Sequence, residues 1–400
     1  MSTATEKTWF EQTEEQGQWR DEEQFDEDVK AGSEKIYVAS HWQLMWWRFL
    51  KHRMALISAF VIVFLYAVAI FAEFVSPYNP DPHPSALFVE YKLAPPTKIH
   101  LFDQQGNFQR PFVYKVTQKR DPETLRRVYA EETSVIYPIQ FFVEGPTYKL
   151  WGLFPSNKHL FGLGPEAGKQ GLFLMGIDEG ARDVFSRLCF GARISLTIGL
   201  VSVIISLVFG IILGGISGYY GGTPDNVIQR VIEFIRSIPE IPLIMALAAA
   251  LPADWPVIKL YFGITILLSF VGWTGLARVV RGRFLSLREE DFVMAARLSG
   301  ASEGRIILRH MLPSFLSHII ASLTLSIPGI ILAETGLSFI GLGLRPPAIS
   351  WGVLLQDAQK VKTVALAPWL LLPALAVILT VLAFNFLGDG IRDAADPYAK

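Results

Sequence analysis

Six stretches of this chain, near 54–75, 194–219, 227–251, 257–280, 315–340 and 365–387, are long and mainly apolar, the first of them almost free of charge. An α-helix rises 1.5 Å per residue, so ~20 such residues match the ~30 Å hydrocarbon layer of a bilayer. A backbone in that layer must satisfy its own hydrogen bonds, which helices do within one segment. The pattern predicts an all-α polytopic membrane protein with six transmembrane helices. Composition agrees: 18% of residues are charged, against about 25% in soluble domains.

Arg48, Lys51 and Arg53 precede the first run. Cytoplasmic loops carry the excess of Lys and Arg, so the N-terminus is expected in the cytoplasm. Alternation then puts 220–226, 281–314 and the C-terminus inside, and 76–193, 252–256 and 341–364 outside. The 278–309 segment, with seven Arg, falls on the cytoplasmic side. Arg182, Arg187 and Arg193 fall outside, which a long translocated loop tolerates.

Four divisions follow. Residues 1–40 hold four Lys/Arg against eleven Asp/Glu and few aliphatics, the composition of a disordered cytoplasmic tail. In 41–75, an interfacial helix precedes the first span. Trp42, Met45, Trp46 and Phe49 recur at i, i+3, i+4 and i+7, with Arg and Lys around them. Residues 76–180 are too long for a linker. They open on Ser76-Pro77-Tyr78-Asn79-Pro80, which is turn chemistry. Strand-like runs follow at 112–116, 134–143 and 148–154, with Gly145-Pro146 between the last two. This predicts a small β-rich extracytoplasmic insert between the first two transmembrane helices, either a binding surface or a cap. Residues 181–400 carry the remaining spans.

Other chemistries find little support. Net charge is −1, with no overall basic excess to favour nucleic acid as a partner. The single cysteine, Cys189, excludes an intramolecular disulfide and reads as a packing residue. The seven histidines are scattered without metal-site spacing, and no nucleophile–base pair stands out. The run Gly164-Pro-Glu-Ala-Gly-Lys-Gln170 fails the phosphate-loop test, since Gln replaces the required Ser or Thr. The chain is expected to bind no cofactor and to be no enzyme.

Ionisable residues within spans are costly and point to function. Glu240 stands between Pro239 and Pro242 in the third run. It is expected either on a translocation pathway, meeting polar or cationic parts of a solute, or in a wet vestibule at the span's end. Glu334, near the outer end of the fifth run, is a second pathway candidate, with packing or hydrogen bonding as its other role. Asp389 and Arg392 are expected as interfacial partners at the inner end of the sixth.

The polar 281–313 loop between two spans is rich in Arg, Leu, Ala and Glu over 281–301, which predicts a helix. Ala295, Ala296 and Gly300 put small side chains on neighbouring positions, beside Arg297. Leu312-Pro313 is expected to end the helix. The Ala-Ala-x3-Gly-x11-Leu-Pro spacing resembles the EAA loop of binding-protein-dependent ABC importers. Met294 stands where that pattern has its namesake Glu, and His310 where Ile is common.

Three further segments narrow the likeness: 176–196 (GIDEGARDVFSRLCFGARISL), 333–343 (AETGLSFIGLG) and 382–393 (LAFNFLGDGIRD), together with Gly218-Tyr-Tyr-Gly-Gly222. They are similar to the C-type permease of the dipeptide/oligopeptide/nickel ABC importers. The resemblance is close over 176–397, loose over 41–75 and poor over 88–160. It implies a multi-pass inner-membrane subunit working with a second homologous permease, two cytoplasmic ATPases that use ATP and Mg²⁺, and an extracytoplasmic solute-binding protein. It also implies that Ala295, Ala296, Arg297, Gly300, Leu312 and Pro313 belong to the helix through which the ATPases drive the permease. Peptides are the expected solutes, with oligosaccharides or metal chelates as alternatives. A stand-alone secondary transporter would need a relay of buried carboxylates, and the spans offer only scattered ones.

Overall fold

The computed structural model describes residues 40–80, 89–123, 127–168, 170–252 and 254–395. The acidic tail expected over 1–40 lies outside these, apart from Ser40. That serine caps the first helix, α1 (His41–Lys51), in a reciprocal capping box with Gln43. Trp42, Trp46 and Trp47 on α1 are exposed. His52 breaks the chain, and its ring accepts the Ala55 amide to cap α2 (Arg53–Ile70). A single turn, α3 (Ala72–Val75), follows.

Five helices among the described residues are long and apolar enough to cross a membrane. They are α2, α4 (Val184–Tyr220), α7 (Val257–Leu287), α9 (Leu316–Phe339) and α12 (Leu372–Ala395), the last extended by a turn at Pro368–Leu371. The continuous helix expected over 227–251 is not there. It is split into α5 (Gly222–Ser237) and the ten-residue α6 (Glu240–Ala249). Pro239 supplies no amide donor and holds Ile238 in extended backbone, φ −94° and ψ 133°. Two others outrun their expected bounds. Asp183 caps α4 through the Ser186 amide, so that helix starts ten residues before 194. In the same way α7 continues to Leu287.

The tightest pairing is α4 against α7. Ser202, Ser206, Gly210, Gly214 and Gly218 fall every fourth residue on one face of α4. The Ser202 hydroxyl donates to the Thr265 carbonyl at 3.2 Å, Ser206 to Ser269 at 3.3 Å, and Ser269 back to Ser202 at 3.2 Å. A β-carbon at Gly214 would sit 2.5 Å from the Ala277 carbonyl oxygen. Apolar tails drive helices together weakly in lipid, so close backbone approach and interhelical hydrogen bonds carry such contacts. A second core joins α2, α4, α9 and α12 around Ile331, Trp351 and Phe384, with Trp351 on the short α10 (Trp351–Leu355), which is followed by α11 (Val361–Leu366).

Between α3 and α4 lies an antiparallel sheet in the order β1 (His100–Phe102), β2 (Phe108–Arg120), β3 (Arg127–Leu150), β4 (Phe154–Leu163). The 24-residue β3 pairs with β2 along its first half and with β4 along its second. Gly145-Pro146 does not separate two strands. It lies inside β3, at an irregularity between Glu144 and Tyr148. The reversal instead falls within the run expected as a strand over 148–154, where Trp151 and Gly152 both hold positive φ, 53° and 75°. Phe173, Tyr91 and Ile177 form a small core beside Val116 and Tyr129 of the sheet.

Candidate functional site

The 281–313 segment is not one long helix. Residues 281–287 finish α7, a turn follows, and α8 (Asp291–Leu298) stands alone. Its end is a Schellman motif: the Gly300 amide donates to the Arg297 carbonyl at 3.0 Å and the Ala301 amide to Ala296 at 3.1 Å. Gly300 holds φ +75° with open space around it, so it stops the helix, a position where a side chain would be strained. A second helical stretch runs over 303–314, and Leu312-Pro313 stands in its last turn. The break falls at Phe315, and α9 starts after it.

This segment is anchored from below. Val293, Ile306 and Met311 are fully buried against Tyr219, Val280 and Phe284, with Ala296 and Ala301 packed beside them. Arg297 lies over the Tyr219 ring at 5.8 Å, and the Tyr220 hydroxyl donates to Glu303 at 2.8 Å. The opposite side is bare. Met294, Ala295 and Leu298 are exposed, Leu298 by 87%. The expected small-residue face is therefore divided: Ala295 looks out, Ala296 looks in, and Gly300 terminates.

A latch joins the base of the bundle to this segment. Arg281 makes a bidentate pair with Asp225, both contacts at 2.6 Å. Ser217 also donates to Asp225. The Arg281 guanidinium holds the Asp225 carboxyl below its usual range. Neither residue stands out in the sequence, because 56 positions separate them.

Glu240 opens α6 and lines a cavity of about 380 Å³ between α4, α6, α7 and α9. Ser206, Gly272, Gly275, Ser322, Ser326 and Gly329 supply a small, partly polar wall. Among the described residues, Glu240 is the one ionisable group on it. Glu334 is elsewhere. It is fully buried, accepting from Ser338 at 2.8 Å and Ser195 at 3.3 Å, while Ser195 accepts the Trp351 amide at 3.1 Å. It ties α4, α9 and α10 together and does not line the cavity. Asp389 and Arg392 are both exposed near the end of α12.

A further cluster sits where α4 begins. Asp178 takes Arg187 and, at 2.8 Å, Arg182. Arg182 reaches Asp357 at 3.8 Å, and Lys360 meets Glu179 at 2.9 Å. Burial pushes the Asp183 carboxyl up to about 7, against hydrogen bonds from Ser186 that lower it.

Two family models match the chain. Residues 206–400 match the binding-protein-dependent transport system inner membrane component, and residues 40–96 the N-terminal TM domain of oligopeptide transport permease C. The oligopeptide transport system permease protein OppC of Haemophilus influenzae is 40% identical over 229 residues, 57% of this chain and 71% of that one. The chain is a C-type permease of the dipeptide and oligopeptide ABC importer family. The dipeptide transport system permease protein DppC of Bacillus subtilis is 38% identical over 224 residues, 56% of this chain and 68% of its own. A solved inward-facing structure of the MetNI methionine ABC transporter aligns over 52% of this chain and 96% of its own, with TM-score 0.40 and 20% identity. As a member of this family the chain is an integral inner-membrane permease. The 100–163 sheet lies outside both family matches.

Proposed function

We propose that this permease imports peptides or solutes of similar size, and that α8 is the lever by which two ATPases drive it. The observation that carries the reading is the two-sided build of α8. A buried underside transmits displacement rigidly to α4 and α7, while an exposed Leu298 has no covering among the described residues. A protruding apolar side chain on a charged loop suits the groove of a partner protein.

In this reading a second homologous permease completes the pathway and an extracytoplasmic binding protein delivers solute. The partner ATPases bind ATP and Mg²⁺, and this chain does no covalent chemistry. Both termini and α8 lie in the cytoplasm, and the 76–180 insert lies outside. Together α5 and α6 make a sixth crossing, interrupted at Pro239 where the cavity gives the freed backbone a wet neighbour. Solute passes the small-residue wall, and Glu240 meets its cationic groups. ATP binding shifts the permease pair between inward and outward states through the differential contacts of α8.

The test is Leu298→Asp in the reconstituted importer. It should abolish solute-stimulated ATP hydrolysis and weaken ATPase retention on purification, while the permease pair elutes normally. Full coupling in that variant would remove α8 as the lever.

A further inference from the structure

The β3–β4 hairpin leans its tip on the outer half of α2. The Trp151 indole N–H donates to the Ile70 carbonyl at 2.9 Å, where α2 runs out of helical partners. The Trp151 ring meets Phe71 at 5.9 Å, and Phe142 meets Phe74 at 6.1 Å. Between hairpin and helix lies a groove of about 540 Å³. One wall is Phe64, Ala67, Val68 and Phe71 of the first span. The other is the cross-strand pairs Tyr148/Ser156 and Leu150/Phe154, which share one face of the hairpin.

The groove continues an exposed apolar face of α2. Phe60, Val63, Phe64 and Phe71 form one exposed apolar stripe that runs directly into it, with Phe60 exposed by 73%. Trp151 stands at the end of that span, where tryptophan favours the headgroup level. Its φ of +53° lies in a region that disfavours bulky side chains, so the turn aims that ring at some cost. Leu153 and Phe154 at the tip are exposed by 71% and 58%. A soluble hairpin would bury or replace such a tip.

We infer that this groove binds an acyl chain of a membrane phospholipid, with the hairpin tip set into the leaflet at the Ile70 end of the first span. The inference rests on the membrane-permease reading and adds a lipid site that the permease mechanism does not use. The insert is thereby fixed against the bilayer as well as against α4, where Phe161 of β4 meets Phe185 at 5.6 Å.

The test uses the full permease pair in phosphatidylcholine vesicles containing a phosphatidylcholine with a photoactivatable diazirine in its acyl chain. Adducts are mapped by mass spectrometry. Adducts are expected on 64–71 and on 148–156. Leu150→Trp fills the groove and should remove those on 148–156 and lower those on 64–71. Labelling of the exposed Leu375, Leu379 and Leu382 on α12 should stay unchanged, which also reports that the variant is folded in the bilayer. An unlabelled hairpin beside a labelled α12 overturns the lipid site. Loss of labelling on every helix would instead overturn the membrane reading itself.

Discussion

Adjacent glycines on α4 should respond oppositely to the same substitution. A β-carbon at Gly214 would lie 2.5 Å from the Ala277 carbonyl oxygen, 2.9 Å from Val280 Cβ and 3.0 Å from Ala277 Cα. Carbon contacts are at rest near ~3.5–4.0 Å, and two of these three atoms are backbone, which cannot rotate away. The helices must part, stretching the Ser202–Thr265 and Ser206–Ser269 bonds. At Gly215 the new carbon would meet only the Phe284 ring at 3.7 Å, an ordinary contact. Both changes gain the same helix propensity, about 0.5–1 kcal/mol, so their difference isolates overpacking, about 1–3 kcal/mol. Gly214→Ala should therefore be destabilised relative to Gly215→Ala by that amount, and Gly215→Ala should match or exceed the wild type. Unfolding of the purified permease in mixed micelles, followed against denaturing detergent fraction, reads both. Equal stability of the two variants would refute the claim that backbone approach along this stripe holds α4 to α7.

Glu240→Gln should raise KM for cationic solutes by roughly twofold to fivefold, the reach of a solvent-screened charge pair, and leave neutral ones unchanged. Uptake of matched peptides by reconstituted vesicles reads this. Asp178→Asn should destabilise the fold by about 3–5 kcal/mol, because it strands a buried Arg187 without its counter-charge. The same micelle unfolding measures it. The Asp183 carboxyl binds its proton more tightly folded, at about 7, than unfolded, at 3.8. Stability should therefore fall as pH rises between those values and level off above. Burial pushes Asp357 in the same direction. Asp183→Asn keeps a helix cap and should flatten most of the slope, and a pH series of unfolding curves decides it.

Much of the site is legible in the sequence, and the reasons are local. The Arg-rich 281–313 loop announces itself because charge between two apolar runs cannot enter a bilayer. The Ser202–Gly218 stripe repeats every fourth residue, close to the helix period, but only the α7 backbone packed on it gives the repeat its meaning. Gly300 reads in sequence as part of a smooth face. Only its φ of +75° reveals a helix stop. Glu240 and Glu334 look alike as carboxylates in apolar runs. Packing alone puts one on a cavity and the other in a closed hydrogen-bond node.

The sequence by itself determined that this chain enters a membrane, approximately where it crosses, and which loop is too charged to follow it there. Those properties depend on runs of neighbouring residues, and transfer free energy adds along such runs. The tertiary structure decided the pairing of Asp225 with Arg281, the cavity that gathers Ser206, Glu240, Gly272 and Ser326, and the hairpin laid against α2. Each joins residues far apart in the chain, and what fixes them is close approach between helices and strands, which no local pattern encodes.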